Sequence, residues 1–170
     1  MMNRKEFCVA LACFVAVPCA FGQASPPAET SVTIKGHKIT INYSAPSMRG
    51  RKIFGSLVSY GNVWRTGANN ATNLTTDGDL MFGSLKVPKG SYSLFTVPNE
   101  GSWDLIINKQ TGQSGLDYEQ GQDLGRVKMS VSKAESTEKF RIALASSGAN
   151  KGTLTMTWEN TAATVNFTVQ

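Results

Sequence analysis

The sequence predicts an all-β fold, an antiparallel β-sandwich (jelly-roll or immunoglobulin-like) of about eight to ten strands. Two observations carry this prediction. Apolar and polar residues alternate with a period of two along most of the chain after residue 30, and turn-forming residues interrupt that alternation at short intervals. No apolar stripe with a helical period is long enough to compete. A sandwich and a barrel both fit this pattern.

Each alternating segment has one apolar and one polar face, as strands of an antiparallel sheet do. The first contains Val32 and Ile34, and the pattern recurs at 39–43, 103–107, 127–131, 140–144, 154–158 and 165–169. Residues 92–97 are apolar on both faces towards their end, which predicts a central strand.

A two-residue turn at 36–37 is expected to join the first two strands. Glycine at the first turn position suits a type II′ hairpin, and this turn would pair Ile34 with Ile39. The apolar residues of both strands then share one face. His37, the only histidine, would be a solvated turn residue.

One stretch without strand pattern, 109–125, is rich in Gly and Gln and is predicted to be a long loop with at most one helical turn. Loops of this length often carry function. Near its end, Asp123 and Arg126 are expected to form an ion pair.

The N-terminus has the order of features found in a secretory signal peptide. Arg4 and Lys5 precede an apolar run at 7–17, and small residues follow at Gly22 and Ala24. The run is shorter than the ~20 residues of a membrane-spanning helix. We therefore expect residues 1–24 to be removed by cleavage near Gly22 to Ala24, and the protein to be periplasmic or secreted without a permanent membrane span.

Removal of the leader would leave a domain without cysteine, because Cys8, Cys13 and Cys19 all lie within it. A disulfide, a thiol nucleophile and a thiolate metal ligand are then excluded from the exported part. Residues 25–30 are predicted to be an extended linker, and 31–170 a single domain.

The whole chain carries a formal net charge of +5. Its basic residues are scattered rather than grouped in the runs that follow a phosphate backbone. Together with export, this argues against a nucleic-acid partner. The composition does not predict an oligomeric state.

The stretch 44–72 breaks the alternation and concentrates arginine, aromatic and amide side chains between glycines. Aromatic faces stack on sugar rings, arginine forks bind carboxylate or phosphate, and amides donate and accept hydrogen bonds. The candidate ligand-binding residues are Arg49, Arg51, Tyr60, Trp64, Arg65, Asn69 and Asn70. The alternative is structural: arginines that tie a long connection to backbone carbonyls, and a tryptophan that belongs to the core.

Several long motifs resemble the bacterial DUF2911 family, a domain of unknown function in exported proteins. They include Tyr-Ser-Ala-Pro-Ser-Met-Arg-Gly-Arg-Lys-Ile-Phe-Gly at 43–55, Tyr-Gly-Asn-Val-Trp-Arg-Thr-Gly-Ala-Asn-Asn-Ala-Thr at 60–72, and Gly-Ser-Tyr-Ser-Leu-Phe-Thr-Val-Pro at 90–98. The resemblance implies a single exported domain from about residue 25 onwards. It implies no catalytic residue, ligand or cofactor.

These observations favour a non-catalytic binding module of the cell envelope, with a carbohydrate, an envelope polymer or another small polar or anionic molecule as its ligand. We expect no metal and no cofactor. One alternative is a carboxylate- or metal-dependent hydrolase acting on an envelope polymer, with Asp104 and Glu159 as the candidate carboxylates. Another is a structural, partner-binding module that uses an exposed sheet edge.

Overall fold

Residues 24–170 are described by a computed structural model, and within them nine β-strands and one short 3-10 turn make up the regular structure. The strands are β1 (Pro27–Ile34), β2 (His37–Ser44), β3 (Thr72–Thr76), β4 (Leu80–Phe82), β5 (Leu85–Val87), β6 (Gly90–Val97), β7 (Ser102–Asn108), β8 (Asp123–Ser146) and β9 (Lys151–Val169). The 3-10 turn is Gln120–Gln122. The predicted all-β class is confirmed.

The strands form one open antiparallel sheet in the order β1-β2-β3-β6-β7-β8-β9-β4-β5. The sheet folds over on itself in a sandwich-like way, because β8 pairs with β7 through its first part and with β9 through the rest. The edge strand β1 then faces the end of β8, where the Leu144 backbone N–H donates to Thr30 Oγ1 at 3.3 Å. As predicted, 92–97 lies in a central strand, β6.

Bends in β8 and β9 allow this folding. The pairing register shifts on both sides of Thr137, which lies opposite Glu159, and Glu159 has a left-handed φ of 54°. Extra residues of this kind bend and twist a strand. The sequence predicted separate strands at each end of β8 and of β9, which was wrong: each pair is one bent strand.

The apolar faces of the folded sheet meet in a mostly aliphatic core that contains a group of packed aromatic rings. Its largest fully buried side chains include Trp103, Trp158 and Phe140, whereas the buried Phe95 belongs to a separate small cluster with Val97 and Ile106. Period-two alternation is visible in β9, where buried residues alternate with partly exposed ones along most of the strand.

The first hairpin differs from its predicted register. Its two turn residues are Lys35 and Gly36, with φ of 53° and 80°, and Ile34 pairs with His37. Two successive positive φ values are characteristic of a type I′ turn. The pairing is therefore shifted by two residues, which leaves every apolar side chain on its predicted face.

His37 consequently begins β2 instead of lying in the turn. Its Nδ1 lies 3.1 Å from Asp77 Oδ1, and the same oxygen accepts a hydrogen bond from the Lys38 backbone N–H at 2.9 Å. The histidine thus joins the start of β2 to the residue that follows β3.

The predicted domain plan has two N-terminal segments, the linker and the signal peptide. Most of the expected linker 25–30 belongs to β1, which begins at Pro27. The predicted signal peptide falls on residues that are not described, except for Ala24. Across 24–170, no helix is long and apolar enough to cross a membrane.

Candidate functional site

The connection between β2 and β3, residues 45–71, packs against the folded sheet, and its Ile53, Phe54 and Val58 belong to the core. The Met48 N–H donates to the Glu138 carbonyl at 2.8 Å, and Trp64 and Thr96 exchange two backbone hydrogen bonds of 2.7 and 2.9 Å. The connection is therefore attached to β8 at one point and to β6 at another, which fixes the residues between.

Trp64 is half-buried and lies against the aromatic core. Its ring stacks on Trp158, with centroids 5.9 Å apart and an interplanar angle of 16°, and its centroid lies 5.0 Å from that of Phe140. The indole therefore has the structural role that the alternative interpretation expected, while part of it stays accessible.

Arg51 also has a structural role. Its Nε donates to the Met48 carbonyl at 2.9 Å, and its Nη2 donates to the Ser47 carbonyl at 2.8 Å. Arg49 lies on the exposed turn beside it, and its backbone N–H donates to Glu138 Oε1 at 2.9 Å.

Arg65 differs from these two arginines. It is half-buried, yet among residues 24–170 its Nε is buried without a hydrogen-bond partner and no carboxylate forms an ion pair with it. Its aliphatic stem lies against Gly115 of the long loop: a Cβ added there would stand 3.0 Å from the Arg65 Cβ. Packing positions this cation without neutralising it.

The three remaining candidate residues, Asn69, Asn70 and Tyr60, lie in different surroundings. Asn69 Nδ2 donates to the Ser25 carbonyl at 3.1 Å and to Ser44 Oγ at 3.2 Å. Asn70 lies in a different, amide-rich cleft of about 290 Å³. Tyr60 is exposed, and its pKa is raised by partial burial and by the nearby Glu100 and Glu159 carboxylates.

Four of the seven predicted residues line one cleft of about 390 Å³, which we call the arginine cleft. Its lining includes Arg51, Leu57, Trp64, Arg65, Asn69 and Trp158, and no acidic side chain. The sequence did not assign Trp158 to a site, because its place in an alternating segment predicted only a core residue. Arg49, Tyr60 and Asn70 lie outside this cleft.

Another cleft, of about 520 Å³, lies elsewhere. It lies beside β4 and β9, where Met81, Lys151 and Phe167 line it together with neutral polar residues. None of the candidate ligand-binding residues lines this cleft, and Lys151 is the one cation in its lining. The arginine cleft, with two arginines and two indoles, has the more specific chemistry.

The two candidate carboxylates both have structural partners. Asp104 Oδ1 lies 2.7 Å from Lys128 Nζ. The Glu159 carboxylate accepts backbone N–H groups of Ile53 and Phe54 at 3.4 and 3.2 Å, which holds the 45–71 connection against β9. Within 24–170, no group of three or more His, Cys, Asp or Glu side chains is placed to hold a metal ion.

A family model described as "Protein of unknown function (DUF2911)" matches residues 25–167. The chain belongs to the DUF2911 family. Comparisons with curated proteins and with solved structures give no match. Any function of this DUF2911 domain must therefore be inferred from its own geometry.

The long loop of the DUF2911 domain is closed by a network around Asp123, which includes the predicted ion pair. Arg126 Nη2 lies 3.2 Å from Asp123 Oδ2, and the Tyr118 hydroxyl donates to the same oxygen at 2.7 Å. Asn108 Nδ2 donates to Asp123 Oδ1 at 2.9 Å. These bonds fix the loop beside Arg65.

Burial raises the pKa of Tyr118, and its hydrogen bond to the Asp123 carboxylate raises it further. The folded state therefore favours the neutral phenol. Its contribution to stability is complete below the ordinary tyrosine pKa of about 10 and is lost as the pH rises through the higher folded value.

The Tyr118 phenol is therefore expected to titrate above pH ~10. Tyrosinate absorbance against pH, measured for the wild type and for Tyr118→Phe, gives the titration of this phenol as the difference between the two curves. Titration at or below pH ~10 would contradict the prediction.

Gly115 is predicted to be necessary for the position of Arg65. A Cβ at this glycine would meet the Arg65 side chain and would lie 2.6 Å from the Asn69 carbonyl oxygen. Since that oxygen belongs to the backbone, Gly115→Ala should displace the loop and cost about 1–3 kcal/mol of stability, as overpacking does. Thermal unfolding measures this.

Gly121→Ala is the matched control, because nothing lies within 4 Å of a Cβ built at Gly121 in the same loop. Equal effects of the two substitutions would show that Gly115 has no special packing role.

Proposed function

We propose that this DUF2911 domain is a non-catalytic binding module of the cell envelope, and that the arginine cleft takes a small anionic polar ligand, with acidic sugars as the first class to test. The observation that carries the proposal is Arg65, a half-buried cation without a carboxylate partner in the described chain. The envelope location rests on the predicted leader.

The charge argument follows from desolvation. Burying the donors of a charged group is costly unless a carboxylate or a carbonyl accepts a hydrogen bond from them. Arg51 is exposed and still donates to two backbone carbonyls. Arg65 has neither kind of partner among the described residues. A carboxylate or phosphate in the cleft would supply the missing charge-assisted hydrogen bonds, and Arg51, in the same lining, adds positive potential.

The preference for a sugar follows from the rest of the lining. Trp64 is half-buried and presents part of its indole to the cleft, while the buried Trp158 supports it from behind. Aromatic surface of this kind binds the apolar face of a pyranose ring. The stacked arrangement of the two indoles keeps that surface rigid. Rigid aromatic surface lowers the entropy lost on binding.

Tryptophan fluorescence titration is the direct test, because two of the protein's three tryptophans line the cleft. Methyl glucuronide should change the emission in a saturable and salt-sensitive way. Methyl glucoside, which has the same ring without the charge, should bind more weakly. Equal binding of the two, or no binding to any acidic glycan of an array, would overturn the proposal.

A further inference from the structure

The exposed large apolar side chains of residues 24–170 are not scattered. They are Leu57, Tyr60, Val63 and Leu116, with 49, 39, 39 and 79% of their surface exposed. All four belong to the 45–71 connection or to the long loop. Isolated exposed apolar residues need no explanation, but several of them in two adjoining segments indicate an interaction site.

Two of these side chains line a second cleft of about 440 Å³, which we call the apolar cleft. Its lining comprises Val63, Trp64, Arg65, Phe95, Leu116 and Tyr118, together with Gly115. Arg65 is its only charged residue. The aromatic residues are held in place, since the Phe95 and Tyr118 rings contact each other with centroids 5.0 Å apart.

The two clefts share Trp64 and Arg65. A ligand group bound to the Arg65 guanidinium therefore lies at the boundary between the arginine cleft and a cleft whose side chains are mostly aliphatic or aromatic. Leu57, on the arginine-cleft side, extends the apolar surface around the boundary. One molecule with a polar anionic part and an aliphatic part matches both linings.

We propose that the ligand is an anionic amphiphile, whose charged head group binds in the arginine cleft and whose single aliphatic chain lies in the apolar cleft against Val63 and Leu116. This inference rests on the proposed function. It adds that the head group carries a chain, as in an acylated or alkylated acidic sugar. Charge complementarity at Arg65 selects the head group, and the exposed Leu116 covers the chain.

Three soluble probes separate the contributions, each used below the concentration at which it forms micelles. Methyl glucuronide carries the head group alone, octyl glucuronide adds the chain, and octyl glucoside carries the chain with a neutral head. Burial of a methylene favours binding by about 0.8 kcal/mol, so burial of even two should make octyl glucuronide bind about tenfold more tightly than methyl glucuronide.

Leu116→Ser should remove most of the difference between octyl and methyl glucuronide. Tyr60→Ser is the matched control, since Tyr60 is another of the four exposed apolar side chains but lines neither cleft, and it should leave the difference intact. A difference that persists in Leu116→Ser would show that the chain adsorbs elsewhere on the protein, and would overturn the inference. Loss of the difference in both variants would show that the effect is not specific to the apolar cleft, and would overturn it as well.

The outcomes for the two proposals are distinct. Equal affinity for methyl and octyl glucuronide would overturn the amphiphile and leave the anion-binding function standing. Binding of octyl glucoside as tight as that of octyl glucuronide would show that the chain binds without the charge, and would overturn the anion-binding function. Absence of binding by all three probes would overturn both.

Discussion

Replacement of Trp158 by alanine is expected to lower the free energy of unfolding by about 3–5 kcal/mol. The side chain is 2% exposed and lies between the folded sheet and the 45–71 connection, with ring centroids 5.7 Å from Phe140 and 6.2 Å from Phe54. Its Nε1–H also donates to the Glu138 carbonyl at 3.1 Å. Alanine would leave a cavity and remove one of the two hydrogen bonds that the Glu138 carbonyl accepts, the other coming from the Met48 N–H. Urea denaturation would measure the loss.

Trp158→Phe separates the two contributions. It keeps an aromatic ring in the cluster but lacks the N–H donor, so we expect a smaller loss that includes about 1 kcal/mol for the hydrogen bond. A loss below about 1 kcal/mol for the alanine variant would mean that the ring cluster does not stabilise the fold.

The same residue explains a limit of sequence reasoning. Period-two alternation correctly placed Trp158 on an inward face of β9, because burial on one side of a sheet imposes that pattern. The pattern did not show that the strand continues past Glu159 and Asn160. Polar residues at a bulge and at a turn look alike in sequence, whereas the left-handed φ of Glu159 depends on its tertiary contact with Ile53 and Phe54.

The first hairpin shows a related ambiguity. Turns at 35–36 and at 36–37 both place a glycine in the loop, and they give registers that differ by two residues. A shift of two residues leaves every side chain on the same face of the sheet, so the apolar pattern cannot distinguish the two registers. The observed contact between His37 and Asp77 lies outside the hairpin and is available only in the folded protein.

The candidate site was predictable as a segment but not as a geometry. The concentration of arginine and aromatic residues in 44–72 singled out the segment that supplies most of the lining of the arginine cleft. It did not distinguish Arg51, which binds backbone carbonyls, from Arg65, which does not. That difference arises from packing against Gly115, about 50 residues away in the chain, and local sequence cannot report it.

Arg65→Met is expected to weaken binding of methyl glucuronide about 10- to 100-fold, the range for loss of a charge-assisted hydrogen bond. Methionine keeps much of the aliphatic stem that packs on Gly115 and removes the guanidinium. Arg141→Met is the matched control: Arg141 is exposed on β8, lines none of the clefts described above, and has the same change of charge. It should bind as the wild type does.

Stability decides between the two roles of Arg65. If Arg65 stabilised the 45–71 connection, its replacement would destabilise the fold. An arginine kept unpaired for a ligand is costly to the empty protein, because its Nε is buried without a partner, so Arg65→Met should leave the free energy of unfolding unchanged or raise it. Unchanged binding with a loss of more than about 1 kcal/mol in urea denaturation would assign Arg65 to the scaffold. Lost binding in an equally or more stable protein would assign it to the ligand.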